Sequence, residues 1–180
     1  MDLSQVTSSD LMSFGKLVVV ECTIDVLHLG STYPVVLSQR SDYANTFDTS
    51  LWNWAMKGTP GADYKDAQKV FKLIYHSQTP NRLNYRFCGT SDNNGKRLAC
   101  SHKGYVGMYA AADATKFFKI EPLAWDGTKL QCRWRNHLGE IVKVGDLKND
   151  PKYGGAKGGL IDHLNVQIPG DCMFFITPIR

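Results

Sequence analysis

Trp52, Asn53 and Trp54 are the first residues along the chain that could build a ligand site. An indole presents a broad apolar face. Sugars stack their C–H faces on such rings, while amides and carboxylates take the hydroxyls. Asp48 and Tyr64 stand close enough in sequence to serve as those polar partners. On a strand Trp52 and Trp54 share one face, so the pair could equally pack beneath the long loop beside them. A second grouping is Trp125, Asp126 and Gly127, an aromatic and a carboxylate next to a glycine. It reads as a binding edge or as a tight turn with the ring packed below. A third is Asp162-His163-Leu164-Asn165, where alternation puts Asp162 with Leu164 on one face and His163 with Asn165 on the other.

Several reaction chemistries find no support in these residues. The glycines between 154 and 159 are not followed by Lys-Ser/Thr, so no phosphate loop is present. There is no His-Glu-x-x-His or Cys-x-x-Cys spacing to ligate zinc, and no Gly-x-Ser-x-Gly nucleophile elbow. His28, His76, His102, His137 and His163 are scattered. The expectation is a chain with no catalytic residues, metal or cofactor. Cys22, Cys88, Cys100, Cys132 and Cys172 are odd in number and widely spaced, which fits small apolar packing residues. A Cys88–Cys100 bridge is the alternative. Arg82, Arg86, Lys96, Arg97 and Lys103 form a basic tendency that reads as a solvated face.

The net charge is only +4 over 180 residues, from 21 basic and 17 acidic side chains, and it is dispersed. That argues against nucleic acid as a partner. The N-terminus shows no basic, apolar and small-residue succession of a secretory signal, and the apolar runs are too short to span a bilayer. A cytoplasmic or non-classically secreted protein without membrane insertion is expected.

The elements that must position these residues are legible through self-similarity. Asp66-Ala67-Gln68-Lys69-Val70-Phe71-Lys72-Leu73 matches Asp113-Ala114-Thr115-Lys116-Phe117-Phe118-Lys119-Ile120 at an offset of 47. Arg82-Leu83-Asn84-Tyr85-Arg86-Phe87 matches Lys129-Leu130-Gln131-Cys132-Arg133-Trp134 at the same offset. Phe118-Lys119-Ile120-Glu121-Pro122-Leu123 recurs as Phe174-Phe175-Ile176-Thr177-Pro178-Ile179 at an offset of 56. The glycine-rich tract from Tyr153 to Gly159 absorbs the difference. Each copy divides into four short strands punctuated by Asn94-Gly95, Asp126-Gly127, Pro60-Gly61 and Pro169-Gly170. First strands are expected near Leu17, Leu83 and Leu130. One helical turn fits between Asp63 and Lys69.

Three copies of about fifty residues closing on Phe-x-Ile resemble the β-trefoil superfamily. The tract Gly95-Lys96-Arg97-Leu98, Gly104-Tyr105-Val106 and Phe118-Lys119-Ile120-Glu121-Pro122 is similar to repeats of fascin-like and fungal-lectin trefoils. Gln131-Cys132-Arg133-Trp134 falls on a first strand, so it is not the Gln-x-Trp of ricin-type lectins. The resemblance implies an all-β fold of three pseudo-repeats of four strands, a six-stranded barrel capped by hairpins. It covers one domain, residues 15–180, after an N-terminal segment 1–14, with repeats at about 15–80, 81–126 and 127–180. It also implies a binding module. The first expectation is a glycan held by Trp52, Asn53, Trp54, Tyr64, Trp125, Asp126, Asp162, His163 and Asn165. The alternatives are a protease met by the loop at 39–50 or 145–159, and a protein partner of the actin kind.

Overall fold

The computed structural model describes residues 19–37, 54–110, 116–146 and 162–179. Twelve strands follow in order: β1 Val19–His28, β2 Ser31–Leu37, β3 Ala55–Lys57, β4 Val70–Thr79, β5 Arg82–Gly89 and β6 Lys96–Cys100. Then come β7 Val106–Ala110, β8 Phe118–Trp125, β9 Leu130–Arg135, β10 Lys143–Asp146, β11 Asp162–Asn165 and β12 Met173–Pro178. A single helical turn, Asp66–Lys69, sits where the sequence places one.

Six of these strands close on themselves. β1 pairs with β12, β12 with β9, β9 with β8, β8 with β5, β5 with β4, and β4 with β1, every pair antiparallel. Closure leaves the ring no free edge. The remaining strands form three hairpins outside it, β2–β3, β6–β7 and β10–β11. The layout is all-β and consistent with a β-trefoil fold.

Strict alternation builds the barrel. In β9, Leu130, Cys132 and Trp134 are buried, while Gln131, Arg133 and Arg135 point outward. Pairing sets the equivalences between copies: Phe71 lies opposite Cys22, Phe118 opposite Tyr85, and Phe174 opposite Cys132. The first strand of copy one therefore opens at Val19, and Val20 takes the place held by Leu83 and Leu130. Leu17, expected there, lies outside the described residues. One inner layer combines Cys22, Tyr85 and Cys132, and the next Ile24, Phe87 and Trp134, all buried. Two small thiols leave room for one phenol in the first layer, all three fully buried. The second is aromatic, with Trp134 stacked on Phe87 at 4.7 Å and edge-on to Phe118 and Phe174 at 5.2 and 5.3 Å.

All five cysteines are free, so the Cys88–Cys100 bridge does not form. Burial pushes the Cys22 and Cys132 thiols far above the ordinary range, which keeps them neutral and inert.

Asp25 faces outward from β1, half-buried between Pro34 and Phe175 on the flanking strands. Burial raises its carboxyl above 3.8, and Lys129 opposes the rise without cancelling it. A carboxyl raised by folding is bound to its proton more tightly in the native state, so stability falls as pH rises through the folded value. Asp25→Asn is therefore expected to raise the melting temperature at pH 7. The advantage should close as pH drops below the unfolded value of 3.8. Thermal denaturation across pH 3–7 checks this; a gain that persists at pH 3 contradicts it.

Candidate functional site

The three hairpins meet at a junction that repeats the symmetry of the barrel. Trp54 bridges Gly107, Tyr105 bridges Asn165, and Met56 of β3 pairs with His163 of β11. Each copy contributes two positions two residues apart: 54 and 56, 105 and 107, 163 and 165. Trp54, Tyr105 and His163 are therefore equivalent. Their immediate successors, Ala55, Val106 and Leu164, are buried in the core. The three rings accordingly point to the outer side of the cap, where each is half-buried.

These rings touch. Trp54 meets Tyr105 edge-on at 5.6 Å, and Tyr105 meets His163 at 6.0 Å. Tyr109 extends the set, 6.2 Å from Trp54. Edge-to-face contacts at these separations are favourable for aromatic pairs and fix the ring orientations. Gly107, lacking a side chain opposite Trp54, leaves the indole room on the pleat. Burial raises the Tyr109 phenol, helped by Cys100 and opposed by a hydrogen bond with Ser101.

The polar groups around the rings hold the hairpins together. Asn165 accepts from the Gln167 backbone N–H at 2.6 Å and donates to the Lys103 carbonyl at 3.2 Å. The Gln167 side chain donates to the His102 carbonyl, and the Val166 N–H donates to the Gly104 carbonyl. Asn165 thus spends its amide on the junction rather than offering it to a ligand.

Of the residues expected at a site, the structure brings Trp54, His163 and Asn165 together. Asp162 shares the β10–β11 hairpin with His163 and Asn165, opposite Asp146, and its side chain is outside the described set. Trp52, Asn53 and Asp48 also lie outside the described residues, as do most of the loops at 39–50 and 145–159. Tyr64 accepts a hydrogen bond from the Thr59 N–H at 2.8 Å and belongs to the turn after β3. Trp125 and Asp126 sit at the β8–β9 turn, at the barrel end away from the hairpins. Asp126 accepts from the backbone of Thr128 and Lys129 and from the Thr128 hydroxyl. Those bonds hold its carboxyl down at about 2. It is a turn residue.

Tyr105 and Tyr109 were not among the expected site residues. Aligning the third strands on Ala55, Val106 and Leu164 brings Tyr105 level with Trp54 and His163; nothing in the sequence marks that alignment as the right one.

A separate open depression of about 280 Å³ is lined by Leu27, Leu29, Leu123 and Met173 beside Arg133 and Asp171. Its charged groups are occupied, because Arg133 is paired with Asp171 at 2.9 Å and with Glu121 at 3.8 Å. Among the described residues no group of three or more metal-ligating side chains gathers, and no helix is long and apolar enough to cross a membrane. Compared with known proteins, the chain matches no family model, no curated protein and no solved structure.

Proposed function

We propose that this chain is a non-catalytic binding module of the β-trefoil superfamily that holds a carbohydrate on the outer face of its hairpin cap. The observation that carries the reading is the contact of Trp54 with Tyr105 and Tyr109, and of Tyr105 with His163, where three hairpins converge. Half-buried rings with fixed orientations offer a sugar ring stacking surface at little entropic cost. Such a site needs neither metal nor nucleophile. Its rigidity comes from the barrel beneath, where Ala55, Val106 and Leu164 anchor the strands that carry the rings.

A glycan array followed by titration of tryptophan fluorescence tests it. A bound glycan is expected to shift the emission, and Trp54→Ala to weaken binding by more than tenfold, as for an aromatic anchor. Trp125→Phe, at the far end of the barrel, should leave affinity unchanged. An empty array with folded protein, or full affinity in Trp54→Ala, sinks the reading.

A further inference from the structure

Among the described residues only two that carry a side chain take a left-handed φ, Leu29 at +50° and Ser91 at +48°. Leu29 and Gly30 form the two-residue turn from β1 to β2, with His28 paired to Ser31 across it. Two successive left-handed residues make a type I′ turn, which favours Asn-Gly, Asp-Gly or Gly-Gly. Leucine has no side-chain hydrogen bond to offset the strain of that conformation. Burial does not offset it either, because Leu29 is 89% exposed, the most of any large apolar residue described. Leu138, 71% exposed, differs: its φ is not left-handed, and Asn136 accepts from its N–H to hold the turn. At Leu29 the turn does not need the side chain and the core does not use it. A strained residue kept against local preference points to a task outside the chain's own fold.

Leu29 stands at the wall of the open depression of about 280 Å³. Leu27, on the outer face of β1, lies directly opposite Met173 of β12. Leu123 joins them from β8, where the β8–β9 ladder slips between Pro122 and Ala124. The surface there is an apolar hollow with an apolar prong on its own rim. Arg133 and Asp171, bonded at 2.9 Å and both partly open to water, complete it. A pair this exposed contributes little to the stability of its own fold.

We infer that this face docks a second copy of the chain about a twofold axis, with Leu29 of each protomer seated in the depression of its partner. A twofold interface brings one patch against itself, so the patch must be self-complementary. This patch carries prong and hollow together, and one charge of each sign. Turned onto itself, it sets Arg133 of one protomer beside Asp171 of its partner, and the reverse. Two exposed ion pairs then become one network shielded from water, where each bond is stronger. A partner protein of one dominant charge would repel one of the two groups, and an acyl chain would leave both unused. The patch is small, so the dimer belongs to the weak, transient class of contacts. None of this depends on what the cap binds.

Sedimentation equilibrium of the full chain from about 1 µM to about 1 mM tests the inference. A reversible monomer–dimer equilibrium is expected, with its dissociation constant inside that range. Leu29→Asn suits the turn better. The variant should therefore melt higher where the chain is monomeric, yet dimerise about tenfold more weakly or worse. A leucine that served only its own fold would give a lower melting temperature instead. Arg133→Glu and Asp171→Lys should each abolish self-association. An equimolar mixture of the two should restore a dimer, because unlike charges again face each other across the axis. Trp54→Ala, at the cap, should leave the equilibrium unchanged. Circular dichroism checks the fold of each variant, and Leu29→Asn carries the test by itself should Arg133→Glu not fold. Undiminished association in Leu29→Asn, or no dimer in the mixture of folded charge variants, overturns the inference. So does a monomer throughout the range; if that monomer floats with phosphatidylcholine vesicles and Leu29→Asn does not, the prong is a lipid contact instead.

Discussion

Trp134→Ala is expected to destabilise the protein by about 3–5 kcal/mol, the range for deleting a large buried aromatic. The indole is 1% exposed and stands where rings from β5, β8 and β12 converge. It stacks on Phe87, and Phe118 and Phe174, two of the three phenylalanines that recur in the repeat, meet it edge-on. Truncation removes the packing area and leaves a cavity that a closed barrel cannot collapse, because its six strands are held in register on both sides. Trp134→Phe should cost far less. It keeps a ring in the layer and removes Nε1, which is buried without a partner, so part of the lost packing is offset. Urea unfolding of the two variants checks the pair. Equal losses, or a loss in Trp134→Ala below about 1 kcal/mol, would mean that the aromatic layer does not hold the copies together.

Gly104→Ala is the second large effect, and it couples the fold to the cap. Gly104 adopts φ +79°, which costs an L-residue about 1–2 kcal/mol. A Cβ there would lie 2.7 Å from Gln167 Cγ and 2.8 Å from Asn165 Oδ1. Asn165 would have to move, and with it the bonds to the Gln167 N–H and the Lys103 carbonyl, at about 1 kcal/mol each. Together a loss of about 3–4 kcal/mol is expected. The β6–β7 turn and β11 would separate, so Tyr105 would lose its bridge to Asn165 and its contact with His163. Hydrogen exchange should show faster opening at residues 101–105 and 165–167, with the barrel strands still protected. Uniform acceleration across the barrel would contradict a local role for this glycine.

The barrel and the cap differ in how much of them the sequence carries. Phe71, Phe118 and Phe174, with Leu83 and Leu130, recur because each fills an equivalent place in one shared core. Core positions tolerate few residue types, and alternation is a local property of a strand, so the repeat and its inward faces are readable in one dimension. The six-strand ring and its three hairpins were implied by the trefoil resemblance that those recurrences carry, and a helical turn at Asp66–Lys69 falls where the sequence places one. The insertion within copy one weakens the match at its start, which is why Val20 rather than Leu17 proved equivalent to Leu83.

Outward faces obey no such constraint. Trp54, Tyr105 and His163 are three residue types at unequal spacings of 51 and 58, because the loops differ in length between copies. Only the hydrogen-bonded register of β3, β7 and β11 shows that they are equivalent and in contact. Trp54 and His163 were legible as candidates by residue type, but their meeting was not. Asp126 shows the reverse: a carboxylate eligible for binding by type is consumed by its own turn. Arg86 and Arg133 look alike in the aligned repeats, and what the fold sets beside each, Ile74 in one case and Glu121 with Asp171 in the other, makes one ion-paired and the other not. The sequence by itself determined the repeat, its inward faces and the all-β class, because burial acts position by position along a strand; closure of the ring came only as what the resemblance implies. Which outward side chains meet was decided by pairing between segments far apart in the chain, a property of the folded structure alone.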